Sequence, residues 1–164
     1  MSTLEQFAEL IRAVEAAAIA VYGERLKSLV VFGSVGRGTA RPDSDLDVLL
    51  VVDRLPRGRM ARVAEFTAVE DRIAPLLRRL REQGLTTEIS PVFKTGEEAA
   101  HGSPLFLDMV EDARIVLDRD GFFAGVLDRL RGRLHALGAR RVWRGTRWYW
   151  DLKPDRRPGE VIEL

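Results

Sequence analysis

Two short apolar runs lie in the first third of the chain, separated by a polar segment that contains several glycines. These runs are Leu29–Phe32 and Val48–Val52. A continuous apolar run of about four to eight residues bounded by turn residues is typical of a buried strand. The pattern therefore predicts two buried strands joined by a turn-rich connection.

Apolar positions at helical spacing predict an amphipathic helix on either side of this pair of strands. The first helix begins at the capping-box pattern of Ser2–Glu5 and continues to about Tyr22. The second helix follows the strands and continues to about Gln83, where Gly84 ends it.

Beyond the second helix, strand-like and helix-like segments alternate again. Thr86–Phe93 is β-rich and alternating, so we predict a third strand there, and Pro91 indicates an edge, a bulge or the strand's end. The remaining predicted elements are a helix at Leu105–Asp112, a strand at Ala113–Leu117, a helix at Phe122–Leu137, a hairpin at Arg141–Trp150 and an extended tail at Asp151–Leu164.

This order of helices and strands predicts an α/β (α+β) fold. We expect a single domain over residues 1–164, because the length suits one hydrophobic core and the sequence has no internal repeat or linker. The predicted core covers about residues 1–93, and a C-terminal helix, hairpin and tail follow over residues 94–164.

Composition then narrows the function classes. The formal net charge is +1, so no global field draws the chain to a polyanion, and direct nucleic-acid binding is not expected. Cysteine is absent, which excludes disulfides and thiolate metal sites. No apolar run approaches the roughly 20 residues of a membrane span, and the N-terminus does not resemble a signal peptide. We therefore expect a cytoplasmic protein without a membrane partner.

Two carboxylates open the second apolar run. Asp45 and Asp47 are two residues apart on the predicted strand, so their side chains point to the same face. Like charges this close repel each other unless a cation lies between them, and a hard divalent cation such as Mg²⁺ suits carboxylate oxygens. The alternative to a metal site is a structural turn followed by two solvated acids.

The turn after the first strand offers groups that suit phosphate. Gly33 lets phosphate oxygens approach the backbone, and the Ser34 hydroxyl can donate a hydrogen bond to them. A third acid would complete a two-metal site, which activates the attacking hydroxyl and stabilises the leaving pyrophosphate. Glu88 is the one acid within the third predicted strand. It is therefore the candidate ligand and general base, or else an outward-facing strand residue.

The sequence Gly33-Ser34, then ten residues, then Asp45-Leu46-Asp47 resembles the signature of the polymerase-β-like nucleotidyltransferase superfamily. The chain length and the early motif look like its minimal nucleotidyltransferases (MNT), including the antitoxins of HEPN/MNT toxin–antitoxin pairs. The motif covers about residues 29–52, and the helix–strand order extends the likeness to about Phe93. The flanking residues that also look like this group are Phe32, Arg37, Arg41, Pro42, Asp43 and Ser44.

This resemblance implies a nucleotidyltransferase-like fold with a small mixed sheet flanked by helices. It implies Mg²⁺, with two ions expected, and transfer of AMP from ATP to a hydroxyl. In the MNT antitoxins the acceptor is a tyrosine of the HEPN toxin, so we expect a HEPN-family partner. The family's third carboxylate is usually aspartate, so Glu88 departs from the pattern.

The resemblance also assigns roles to individual residues. The implied catalytic and metal-binding residues are Asp45, Asp47 and Glu88. The implied nucleotide-binding residues are Gly33, Ser34, Arg37, Arg41 and Ser44. The two arginines among them are equally consistent with phosphate contacts and with plain loop charges.

Two other functions stay open at this point. One is transfer to a small molecule, as in the enzymes that adenylylate aminoglycosides, although the chain after Phe93 leaves little room for that group's acceptor-binding domain. The other is an antitoxin that neutralises its partner by binding alone, with a vestigial metal site.

The C-terminal part is rich in arginine and tryptophan. Residues 129–150 contain seven arginines and no acid, interleaved with three tryptophans and a tyrosine. This is typical either of a patch for nucleic acid or an acidic protein, or of a hairpin whose tryptophans cover the sheet while its arginines reach water. Alternation about Gly145 favours the second interpretation. Association of copies through this hairpin or the tail is a further expectation.

Overall fold

A four-stranded mixed sheet forms the centre of the computed structural model, which describes all residues from Met1 to Leu164. The spatial order is β3-β2-β1-β4. The first strand pairs antiparallel with the second and fourth, whereas the second and third are parallel. The strands are β1 (Leu26–Val31), β2 (Leu46–Val52), β3 (Ile89–Lys94) and β4 (Arg114–Asp118). The predicted α/β fold with a mixed sheet is confirmed.

Six α-helices and a separate hairpin surround this sheet. The helices are α1 (Thr3–Tyr22), α2 (Gly33–Gly36), α3 (Arg59–Glu82), α4 (Gly96–His101), α5 (Phe106–Asp112) and α6 (Phe122–Ala136). The hairpin consists of β5 (Arg140–Arg144) and β6 (Arg147–Asp151). None of the helices combines the length and apolarity that a bilayer crossing requires.

The two central strands are buried on both faces, as their continuous apolar runs predict. Leu29 and Leu50 belong to the core formed with α1 and α3, whereas Val30 and Leu49 belong to the core formed with α5 and α6. All four side chains are essentially inaccessible to solvent. Because a shift of one residue would exchange the two faces, this burial fixes the register of β1 against β2.

The third strand starts three residues later than the predicted Thr86–Phe93. The Thr86 N–H donates to the carbonyl oxygen of Pro42 at 2.8 Å, so this part of the chain pairs with a loop before the ladder begins. β3 lies at the sheet edge, which accommodates Pro91 as expected. The sheet takes its fourth strand, β4, from beyond residue 93.

The predicted hairpin is present, but our preferred interpretation of its tryptophans is wrong. β5 and β6 form a sheet of their own and do not join or cover the main sheet. The Trp150 indole N–H donates to the carbonyl of Leu107 in α5 at 3.1 Å, so the hairpin packs on that helix. Trp143 is 56% exposed.

An ion pair ties α3 to α4. The two terminal guanidinium nitrogens of Arg62 each donate to one Glu98 carboxylate oxygen at 2.8 Å. Glu98 also accepts the Thr95 N–H at 3.0 Å in the capping box that begins α4. These hydrogen bonds lower the pKa of Glu98 to about 2, and the hydrogen bonds from Arg62 contribute most.

We predict that Glu98→Gln lowers the free energy of unfolding at pH 7 by about 1 kcal/mol. This change in free energy is that of a solvent-exposed ion pair, because the Glu98 side chain is 40% exposed. The pKa of Glu98 is lower in the folded than in the unfolded chain. Its stabilisation is therefore complete above the ordinary value of 4.5 and declines as pH falls toward about 2.

Urea unfolding at several pH values between 7 and 3 measures this effect. The difference between wild type and Glu98→Gln should shrink below pH 4.5. Glu97→Gln is the matched control, because Glu97 is exposed on the same helix and makes no ion pair. Equal effects of the two substitutions at every pH would contradict the prediction.

Candidate active site

The turn between β1 and α2 brings the glycine motif beside the acid pair. Gly33 follows the last β1 residues with a φ of +65°, a conformation that glycine adopts without a Cβ penalty. The preceding Phe32 N–H donates to the carbonyl oxygen of Asp47 at 3.1 Å. The turn is thus fastened to the start of β2, which contains Asp47 and directly follows Asp45.

The Asp47 carboxylate lies directly against Gly33. A Cβ built on Gly33 would lie 2.1 Å from one Asp47 carboxylate oxygen. Any side chain larger than hydrogen would therefore displace that carboxylate or the backbone. This close approach explains why the turn and the acid pair occur together in the sequence, since the space between them is too small for another residue type.

Burial raises the pKa of the Asp47 carboxyl above its usual 3.8. A side-chain hydrogen bond with Ser90 opposes that increase, the charge of Asp45 adds to it, and the charge of Arg37 opposes it. Asp45 itself is exposed. The exposed Asp45, one residue before β2, and the half-buried Asp47 therefore repel each other, which is the electrostatic condition for binding a cation.

Arg37, which we predict to bind nucleotide, lies close enough to the acid pair for its charge to lower the pKa of Asp47. Its backbone N–H donates to the Gly33 carbonyl at 3.1 Å, so it directly follows the single turn of α2. Ser34 is partly buried in the same turn, and its carbonyl accepts the Thr39 N–H at 2.9 Å. The structure therefore brings together Gly33, Ser34, Arg37, Asp45 and Asp47.

Arg41 and Ser44 lie in the loop that leads into β2. The Ser44 hydroxyl accepts the Arg41 N–H at 3.0 Å, and the Ser44 N–H donates to the Arg41 carbonyl at 3.0 Å. The Arg41 guanidinium pairs with Asp43 at 3.2 Å on the surface. These contacts shape the loop, and nucleotide binding by Arg41 and Ser44 stays a prediction.

Glu88 precedes β3 instead of lying within it. Its carbonyl accepts the Leu46 N–H at 2.8 Å, and its side chain is exposed. The β2–β3 register pairs Asp47 with Ser90, and the same register continued outward sets Glu88 opposite Asp45. No group of three or more His, Cys, Asp or Glu side chains is arranged to hold a metal ion. The role of Glu88 as a third ligand stays a prediction.

Two further residues near the site were missed by sequence reasoning. Ser90 is two residues after Glu88 and could have been found, because strand alternation puts both on one face. Burial raises the pKa of Asp108 in α5, and the charges of Arg141 and Arg37 oppose that increase. Only tertiary packing brings α5 here, so no local pattern indicates Asp108.

Comparison with known proteins agrees with this geometry. The profile of the nucleotidyltransferase domain family matches residues 14–116. A relative from Methanocaldococcus jannaschii, named "Putative protein adenylyltransferase MJ1305", is 30% identical over 112 residues, which is 67% of this chain and 71% of the relative. The chain therefore belongs to the nucleotidyltransferase domain family and is a nucleotidyltransferase.

Solved structures of toxin–antitoxin complexes are more distant. A toxin–antitoxin crystal structure with AMP-PNP has 14% identity and a TM-score of 0.41, covering 84% of this chain and 94% of that chain. A complex of tri-AMPylated Shewanella oneidensis HEPN toxin with MNT antitoxin has 12% identity and a TM-score of 0.38, covering 81% and 90%. TM-scores this low carry no conclusion about a partner of this chain.

We predict that Gly33→Ala lowers the free energy of unfolding by at least about 1 kcal/mol more than Gly38→Ala. Both glycines have positive φ, +65° and +74°, so both substitutions carry the same backbone strain. The added methyl group at Gly38 meets nothing within 4 Å, whereas at Gly33 it meets Asp47 at 2.1 Å. The difference therefore isolates the clash, which has the cost of overpacking.

Denaturant unfolding of the two variants measures this difference. Equal destabilisation by Gly33→Ala and Gly38→Ala would mean that Asp47 does not pack on the turn as described.

Proposed function

We propose that the chain transfers AMP from Mg-ATP to a protein hydroxyl, and that the acceptor is a tyrosine of a HEPN-type toxin. One observation carries the catalytic part of this proposal. The Asp47 carboxylate lies against the Gly33 backbone, and the charge of Asp45, one residue before β2, acts on it. In this proposal, a metal-binding acid pair and a phosphate-binding turn therefore share one position.

Membership of the nucleotidyltransferase domain family supports nucleotidyl transfer as the reaction class. The name of the archaeal relative supports AMP as the transferred group and a protein as the acceptor. The motif resemblance to the MNT antitoxins supports a HEPN-type partner and its tyrosine.

The donor set fits a divalent cation. Asp45 and Asp47 present carboxylate oxygens on one face, which is the ligand chemistry that Mg²⁺ prefers. In this proposal both aspartates hold Mg²⁺, and Glu88 completes a site for two ions. Bound Mg²⁺ supplies charge neutralisation for the triphosphate and a lower pKa for the attacking hydroxyl.

The residues of the turn position the triphosphate in this proposal. Gly33 allows a phosphate oxygen to reach the backbone, and the Ser34 hydroxyl donates a hydrogen bond to it. Arg37 lies close enough to act on Asp47, so its guanidinium is placed to neutralise phosphate charge beside the acid pair. We assign Arg41 and Ser44, in the adjoining loop, to the outer part of the nucleotide site.

The transfer itself is a single displacement at phosphorus. The acceptor hydroxyl oxygen forms a bond to the α-phosphorus, while the bond to the oxygen that bridges to the β-phosphorus breaks. Pyrophosphate leaves with that electron pair, and AMP remains on the acceptor oxygen. We assign Glu88 as the base that receives the hydroxyl proton, because the β3 register sets it opposite Asp45.

We predict that Asp45→Asn/Asp47→Asn lowers AMP transfer by more than about 100-fold, since even outer-shell partners of metal ligands contribute about 10–100-fold. The substitution keeps the shape of both side chains and removes the charges that hold a cation. The measurement is transfer of label from α-labelled ATP to the protein encoded beside this chain's gene.

Glu70→Gln/Asp71→Asn is the matched control, because it also removes two carboxylate charges and both acids are exposed on α3, outside the proposed nucleotide site. It should retain wild-type transfer. Equal labelling by wild type and the double variant would overturn the catalytic proposal. If the unlabelled partner were still neutralised in cells by the double variant, the chain would act by binding alone.

A further inference from the structure

The base of the β5–β6 hairpin is fixed to α5. Arg141 pairs with Asp112 and, at 3.3 Å, with Glu111, and the Trp150 indole donates to Leu107 at 3.1 Å. All three partners belong to α5. The Arg141 side chain is only 13% exposed. Because a hairpin of two strands has little stability alone, these contacts are what hold it in place.

The tip of the hairpin, by contrast, lies open to solvent. Trp143 and Trp148 face each other across the strands with ring centroids 6.5 Å apart. The Arg141 guanidinium packs on the Trp148 ring, 4.1 Å from the ring centroid, and this cation–π contact stabilises the position of the ring. Trp143 remains 56% exposed, an unusual position for the largest apolar side chain.

Two arginines without counter-charges lie at the turn, on the opposite face of the hairpin from these rings. Arg144 and Arg147 pair across the turn, both are exposed, and neither is part of any salt bridge in the chain. Residues 129–150 contain no acid that could neutralise them. We define the hairpin tip as Trp143, Arg144, Arg147 and Trp148. The tip presents exposed aromatic surface on one face and unpaired positive charge on the other, so a partner that covers its end contacts both.

Helix α5 also connects the base of the hairpin to the candidate active site. A Cβ on Gly36, in α2, would lie 2.8 Å from the Asp112 carbonyl oxygen. The Asp112 side chain meanwhile pairs with Arg141 of the hairpin. One residue of α5 thus touches the turn of the nucleotide site with its backbone and the hairpin with its carboxylate.

We infer that the hairpin tip is the docking surface for an acidic segment of the protein that accepts AMP. This inference rests on the proposed function, because it takes the acceptor to be a protein. Tryptophan and arginine are the side chains that contribute most to protein interfaces, and the unpaired charge selects an acidic partner. The tip presents only two unpaired arginines, too short a stripe to follow a nucleic-acid backbone.

Tryptophan fluorescence can test this surface selectively, since all three tryptophans of the chain lie in the hairpin. Poly-L-glutamate serves as the acidic probe and poly(U) RNA as the competing polyanion, both titrated without ATP at low salt. We expect poly-L-glutamate to shift the emission and poly(U) to bind more weakly. Tighter binding of poly(U) would overturn the inference in favour of an RNA surface.

Arg144→Glu/Arg147→Glu should weaken poly-L-glutamate binding at least about tenfold, consistent with loss of rim charges that steer and hold a partner. This variant keeps a like-charged pair at the turn but removes the Arg144 guanidinium from the Tyr149 ring, so circular dichroism checks that the hairpin is retained. Arg72→Glu/Arg78→Glu is the control with the same change in net charge. Both of its arginines are exposed on α3, on the opposite face of the sheet. Equal weakening by both variants would overturn the inference.

Trp143→Ala provides a second test that leaves the charge unchanged, and circular dichroism checks its folding. It should also weaken poly-L-glutamate binding, and unchanged binding would remove the aromatic part of the surface. Asp45→Asn/Asp47→Asn should bind poly-L-glutamate as wild type does. The docking surface can therefore be tested even if the chain does not transfer AMP. AMP transfer can likewise be tested even if the tip does not bind poly-L-glutamate.

Discussion

The contact between the Asp47 carboxylate and the Gly33 backbone is the constraint on which the site depends. A Cβ at Gly33 would lie 2.1 Å from the carboxylate oxygen, so this contact exists only with glycine. The Phe32 N–H, bonded to the Asp47 carbonyl at 3.1 Å, holds the same two segments together through the backbone. A phosphate-sized anion at the turn would therefore lie within reach of the acid pair.

The sheet supplies the stability that this contact needs. Asp47 has a raised pKa because it is half-buried near Asp45, so its charged form is disfavoured in the free protein. The surrounding β1 and β2 residues are buried on both faces, which prevents the strands from sliding to relieve the repulsion. In our proposal, bound Mg²⁺ offsets this repulsion, so the strain in the free site favours the bound state.

Much of this arrangement could be predicted from local patterns. The strands around Leu29 and Leu49 follow from continuous apolar runs, and the shared face of Asp45 and Asp47 follows from strand alternation. The position of Glu88 could not be predicted well, because the chain before β3 pairs with the loop at Pro42 and delays the strand. The β2–β3 register puts Ser90 beside Asp47.

The contribution of α5 lay outside what local patterns can reveal. Asp108 and Asp112 come near α2 only because α5 packs beside β1, and the sequence records no such long-range contact. The hairpin shows the same limit. Alternation about Gly145 indicated two strands, but not that Arg141 would fasten them to α5 and leave Trp143 exposed.

Titration calorimetry of ATP into the protein tests the central claim most directly, because it requires no acceptor. The account predicts that ATP binds wild type in the presence of Mg²⁺, and that replacing Mg²⁺ with EDTA or introducing Asp47→Asn weakens binding at least about tenfold. Equal affinity under all three conditions would show that the turn and the acid pair do not form one centre.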